Sequence, residues 1–520
     1  MELRRSRRWA LASLAAAAAF AWLAAEDAGD RRVSGPRAFA AVTPGGAAPD
    51  SAAAARVRAD IESALALLSL SWPVRTGGDV IVAERDGAFH IVVPGVVVEM
   101  RNGGELDIGD IEAVAEPRRD RRYDVRVTLP GTMLLRGGVG TKTTQLTIGK
   151  QRFEGVWAPA FGTFLQLDAA YRSIRAVTHG GLTTMTLGGV TIGVDYTESS
   201  PGSWDGFSVL RLSDLEIAEN EAAERVKIGS IEVQSQGQDM RLAELVSFTR
   251  EFNAALQRLD ESDSEEALSL ALLRMFGAMP RLYASSSMAA KVAGIEVEDS
   301  TGARTFGLER ADFRFAIKGL DEERSRIEIR YEHDGLDIPA IDRITREFVP
   351  RHMVLDAAAV DLPNAALSRA LADYSRDAAG SAPDNAGAVL SERISAALFE
   401  AASEFTINRL SLDAPDVSLV ADGVARVDPE AAYGAVGVFD ATIRGLDKLP
   451  ASLAAIAAKQ NRDEVMAAAM IVAMVIAAGQ PGADGSGAPT RRYRFELTAD
   501  GAVLLNGADM QGLIDGLAAQ

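Results

Sequence analysis

Phe313-Arg-Phe-Ala-Ile-Lys-Gly-Leu-Asp321 decides how this chain is read. Phe313, Phe315 and Ile317 alternate with Arg314, Ala316 and Lys318 until a glycine ends the run. Successive side chains of a strand point to opposite faces, so the spacing predicts a strand with one apolar and one wet face. Ile327, Ile329 and Tyr331 repeat the pattern against Glu328, Arg330 and Glu332. Such alternation belongs to antiparallel sheet, which leaves one face in water.

Outward from there, the same period runs from Val74 to about Ser235. Val125, Val127 and Leu129 alternate with polar residues, as do Leu165, Leu167 and Ala169, then Leu210 and Leu212, then Ile231 and Val233. Asn102-Gly103-Gly104 and Pro201-Gly202-Ser203 supply turns. Val93-Pro94-Gly95 and Leu129-Pro130-Gly131, each leading into three apolar residues, predict iterated hairpins. From Met240 the period becomes helical, with Leu242, Leu245, Val246, Phe252 and Leu256 on one stripe. Further helices are predicted at 362–375, 389–402 and 450–478.

Phe439-Asp-Ala-Thr-Ile-Arg-Gly-Leu-Asp447 matches the opening stretch at Phe, Ile, Gly, Leu and Asp. A repeat of this kind predicts two related helix-then-sheet units. The expected fold class is therefore α+β: extended antiparallel β-sheets with flanking amphipathic helices, a β-rich first half and a repeated helix-then-sheet second half. Expected boundaries are 1–25 for a signal peptide or membrane anchor, 26–55 for a linker, 56–238 for a β-rich domain, and 239–347 and 348–520 for two α+β units.

Arg4, Arg5, Arg7 and Arg8 precede an uncharged apolar stretch from Trp9 to Ala25, followed by Glu26 and Asp27. A basic segment before a short apolar core is an export signal, which predicts a periplasmic protein. The stretch is also near the ~17-residue lower limit for a span, so anchoring in the inner membrane through residues 9–25 and cleavage after Ala25 both remain open. The chain has no cysteine. That excludes disulfides, thiolate chemistry, cysteine metal sites and an acylated lipobox. A net charge of −19 repels nucleic acid and anionic lipid surfaces, so neither is expected as an electrostatic ligand.

Leu362-Pro363, the two Gly-Leu-Asp strand ends and Asp500-Gly-Ala-Val-Leu-Leu-Asn-Gly507 give residues 350–520 a family likeness. That part resembles the YdgA-like envelope proteins of Gram-negative bacteria and, more distantly, AsmA-type proteins. The resemblance implies a membrane-anchored, β-rich envelope protein and carries no catalytic motif.

Several motifs suggest chemistry and fall short of it. Arg136-Gly-Gly-Val-Gly-Thr-Lys-Thr-Thr144 is similar to a phosphate loop, but Thr141 interrupts it and an alternating strand follows, so no nucleotide is expected. His90, His179, His333 and His352 show no metal-ligand spacing. Asp260–Glu266 lacks the glycine and ligand spacing of a calcium loop. Val465–Ala478 is apolar on every side, with Met466, Met470 and Met474 at successive helical turns. These methionines are the candidate contacts for an apolar ligand or membrane, against the alternative of plain core packing.

No catalytic residue, metal ligand or cofactor is expected. The sequence predicts a non-catalytic envelope protein that binds a lipid or a protein partner on an amphipathic sheet surface. The alternatives are a periplasmic hydrolase using paired carboxylates and a purely structural assembly factor. Reporter domains fused after residue 60 should be active only where the reporter works outside the cytoplasm; activity of a cytoplasm-dependent reporter would contradict export.

Overall fold

The computed structural model describes residues 51–69, 73–100, 104–137, 143–178, 183–219, 224–248, 277–341, 346–378, 383–451, 472–473, 475–485 and 487–510. Among them the chain forms helix α1 (Ala52–Ser69) and strands β1 (Val74–Arg75), β2 (Ile81–Arg85), β3 (Ala88–Glu99), β4 (Glu105–Pro117), β5 (Tyr123–Thr128) and β6 (Thr132–Arg136). Five long strands follow: β7 (Thr143–Ala158), β8 (Thr163–Thr178), β9 (Thr183–Ser200), β10 (Ser203–Glu219) and β11 (Glu224–Met240). Next come β12 (Ser285–Glu298), β13 (Arg304–Lys318), β14 (Arg324–Asp334) and β15 (His352–Pro363), then α2 (Asn364–Ala378) and α3 (Pro383–Ala401). The chain continues through β16 (Glu404–Asp413), β17 (Ser418–Val427), β18 (Ala435–Arg444), β19 (Gln480–Ala483), β20 (Pro489–Leu497), β21 (Val503–Leu505) and β22 (Ala508–Asp509).

The fold is therefore mostly antiparallel β, with 61% strand and 18% helix, rather than α+β. Among the described residues the predicted helix-then-sheet repeat is not formed. Helices α2 and α3 form a hairpin inserted between β15 and β16, and those two strands pair directly from His352↔Asp413 to Val360↔Glu404. The helical periodicity was real, but it marks an insertion between neighbouring strands. The Gly-Leu-Asp match is a local one. Gly319 and Gly445 both adopt left-handed φ, at 73° and 77°, and turn the next leucine, Leu320 or Leu446, into the core.

The chain divides into two compact units, one holding α1, β1–β10 and most of β11, the other holding β12–β22. In the first, Ser51 Oγ accepts from Ala54 N–H at 3.1 Å and caps α1. Ala54 and Val57 of this helix pack on Val82, Phe89, Ile91 and Val125. Each of the valine, isoleucine and phenylalanine side chains, fully buried, contributes about 1.5–3 kcal/mol.

Neither Pro-Gly motif makes a hairpin. Pro94-Gly95 is an irregularity inside β3, where Gly95 has φ 54° and its N–H donates to Asp110 Oδ1 at 2.8 Å. Leu129-Pro130-Gly131 separates β5 from β6, which both pair with β4 on one side and β7 on the other. The Gln151 side chain fills the gap in the ladder: it accepts from Leu129 N–H at 2.9 Å and donates to Leu129 O at 2.7 Å.

These breaks lie on a seam that crosses the strands. On β7–β10 its members are Gly149, Ser173, Gly188 and Asp214, each opposite the next in register yet skipped by the ladder. Ser173 and Asp214 have φ 54° and 53°. A left-handed residue shifts the phase of side-chain alternation, and its partners must leave room for it. Across the seam the apolar positions of β8 change from Ile174 and Ala176 to Ala169 and Leu167. Those of β10 change from Leu215 and Ile217 to Leu212 and Leu210. One face therefore stays apolar along strands of 16 to 18 residues. Tyr171 sits on that face beside Val190, and burial pushes its phenol up to about 12.

A Cβ on Gly188 would lie 2.9 Å from Asp214 Cβ. Gly188→Ala should cost about 1–3 kcal/mol in chemical denaturation. Asp214→Gly in the same chain should recover most of that loss, since it removes the obstructing side chain and suits the left-handed backbone.

Candidate functional site

In the second unit, register turns the alternation of the opening stretch into a surface. Met288 lies opposite Phe315, Phe315 opposite Ile329, Ile329 opposite Ala357 and Ala357 opposite Ile407. The row continues through Gly423 and Phe439 to Phe495, crossing eight strands. A parallel row runs through Ala290, Phe313, Tyr331, Leu355, Leu410, Ala421, Ala441 and Tyr493. Directly opposed residues of antiparallel strands share a face, so both rows belong to one apolar surface. A Cβ on Gly423 would collide with the Phe439 ring, which shows that the ring lies over the glycine.

This surface is not closed off. Met288, Ile329, Phe405 and Phe495 remain 42%, 38%, 43% and 40% exposed, and all four point to it. Its polar groups are already engaged. Pro350 O can only accept, so it takes the His333 Nε2–H at 3.2 Å, which leaves Nδ1 to accept from the Tyr331 hydroxyl at 3.2 Å. Tyr493 O–H donates to Val475 O at 3.0 Å.

The opposite face carries the charge. Arg310 meets Asp334 at 2.5 Å and Glu332 at 2.9 Å, Arg330 meets Glu332 at 2.9 Å, and Lys318 meets Glu328 at 2.8 Å. His352 Nδ1 also contacts Asp334 Oδ1. The hydrogen bond from Arg330 holds Glu332 below the ordinary carboxylate range, and the one from Lys318 does the same for Glu328. Burial alone would raise Asp334, but hydrogen bonds from His352 and Arg310 outweigh it and lower the carboxyl. A glycosidase-type acid needs the reverse shift. These carboxylates are committed to cations. Among the described residues no group of three or more His, Asp or Glu is placed to hold a metal ion.

Met466, Met470 and Met474 lie outside the described residues, as do residues 9–25, Lys142, His179 and 260–266. Among the described residues no helix is long and apolar enough to cross a membrane. The last turn of the apolar segment, 475–478, is described, and it is tied to the sheet. Besides the Tyr493 bond, Asn506 Nδ2 donates to Ala478 O at 2.8 Å. At the candidate phosphate loop, Arg136 pairs with Thr143 and the chain continues as β7, a strand rather than the helix such a loop must open.

No family model matches the chain, and neither a curated protein nor a solved structure is similar to it.

Sequence reasoning missed the site as an assembled surface. Its signal was present in each strand, but only the register between strands turns Met288, Ile329 and Phe495 into one row. It also missed the Asp334–His352 contact, which joins β14 to β15 across a loop of 17 residues. The depressed carboxyls set a pH dependence. They contribute stability that is fully present above their ordinary pKa and is lost as pH falls through the lowered values. The second unit should therefore hold its denaturation midpoint down to about pH 5 and weaken below about pH 4. Asp334→Asn should lower the midpoint at neutral pH and flatten the acid limb.

Proposed function

We propose that this protein is a non-catalytic binder of lipid, taking acyl chains on the apolar face of β12–β20. The observation that carries the reading is the pairing of half-exposed apolar rows with the lack of free hydrogen-bonding groups in them. Protein interfaces use about one hydrogen bond per 100–200 Å², and the side chains of these rows offer none. An acyl chain needs none. Seven inter-strand spacings of about 4.8 Å give a row about 34 Å long. Half of a bilayer's hydrocarbon core is about 15 Å, so the row accommodates an extended chain. An export signal and the envelope-protein likeness of residues 350–520 support the same reading.

The test is native mass spectrometry of gently purified full-length protein, which should carry acyl-chain masses. Ile329→Asp and Phe495→Asp place charges where water is already within reach, so the fold should persist while lipid is lost. Lipid-free wild-type protein, or variants that keep their lipid, would overturn the proposal.

A further inference from the structure

The hairpin between β4 and β5 reads Arg118-Arg-Asp-Arg-Arg122, a basic tip on a chain of net charge −19. Arg118 N–H donates to Arg122 O at 2.8 Å and Arg121 has φ 60°, so the loop is tight. Arg118 pairs with Asp124 at 3.0 Å and Arg122 with Asp120 at 3.4 Å. Arg122 also stands 5.4 Å from the Trp204 ring, which meets Phe161 edge to face. These contacts fix the tip on the neighbouring hairpins of the same unit. Arg119 and Arg121 are exposed and have no ion pair among the described residues.

The start of α1 is at the same end of this sheet. Ser51 Oγ donates to Glu84 Oε2 at 2.7 Å, one residue before the β2 end that turns at Asp86-Gly87. Glu84 lies opposite Phe89, Phe89 opposite Ala115, and the arginine loop begins three residues later. A cleft beside it is lined by Arg85, His90, Glu116 and Arg126.

The geometry points to the arginine-rich end of the first unit as a docking surface for anionic phospholipid headgroups. Phosphates complement the two unpaired guanidiniums. The sequence places an apolar stretch at residues 9–25, joined to Ser51 by 25 residues. Twenty-five residues reach at most about 80–90 Å, so a membrane-held segment would keep this end within reach of the lipid surface. This corrects the expectation drawn from the net charge of −19: charges beyond a Debye length of about 8–10 Å are largely screened, so the arginine tip meets a headgroup layer on its local charge. The inference does not depend on whether the apolar sheet face binds lipid.

Full-length protein mixed with phosphatidylcholine vesicles, with and without phosphatidylglycerol, tests it. Any apolar contact made by residues 9–25 is common to both compositions, so the phosphatidylglycerol-dependent increment is the readout. Arg119→Gln/Arg121→Gln should cut that increment about 30-fold, at about 1 kcal/mol per arginine, and reduce its salt dependence, with an unchanged thermal melt. Equal binding to both vesicles would overturn the inference. So would a phosphatidylglycerol preference that the double variant keeps, which would assign it to Arg4–Arg8. Capture of an oligonucleotide with no vesicle increment would also overturn it.

Discussion

Side-chain alternation constrains everything else in this molecule. A strand keeps its apolar residues on one side only while its alternation stays in phase, and a single slip turns every later side chain over. These strands reach 18 residues, longer than most. The seam resolves the conflict. Left-handed Ser173 and Asp214 shift the phase in the first unit, and left-handed Gly294, likewise skipped by its ladder, shifts it in the second. Glycines at 149 and 188 give the shifted strands room. On β13 the shift falls at Glu309 and Arg310, two successive exposed residues between Leu308 and Ala311.

Given the seam, the distribution of chemistry follows. Apolar rows gather on one side, and the other carries the arginine–carboxylate pairs, with exposed Val420 and Val424 beside them on β17. Many of those pairs are half in water and contribute little each. They keep that face wet and leave the apolar rows on the opposite one. In the first unit α1 covers part of the apolar face and makes a closed core; in the second, Met288, Ile329, Phe405 and Phe495 stay accessible. The apolar surface presented by eight strands is what the proposed lipid site rests on. The arginine hairpin at the end of the first unit would add a headgroup contact to an acyl-chain contact, on a separate set of residues.

Much of the strand content was legible because period two is a local property: Phe313, Phe315 and Ile317 announce their face unaided. α2 and α3 were legible because helical periodicity is local too. The seam was not, because Ser173 and Asp214 read as ordinary polar positions of a strand until their partners are known. Pro94-Gly95 and Pro130-Gly131 were legible as breaks but not as members of one line. The α+β reading failed at a similar point. Periodicity identifies a helix, but only the pairing of β15 with β16 shows that α2 and α3 are inserted between neighbours.

The phase shift can be measured directly, because the chain has no native cysteine to interfere. Single cysteines at each position from 304 to 317, spin-labelled and compared for collision with oxygen and with a polar nickel complex, report which face each residue occupies. A phase change between 308 and 311 is expected, with 306 and 308 on the apolar side before it and 311, 313 and 315 after it. Unbroken period two through Glu309 and Arg310 would contradict the account.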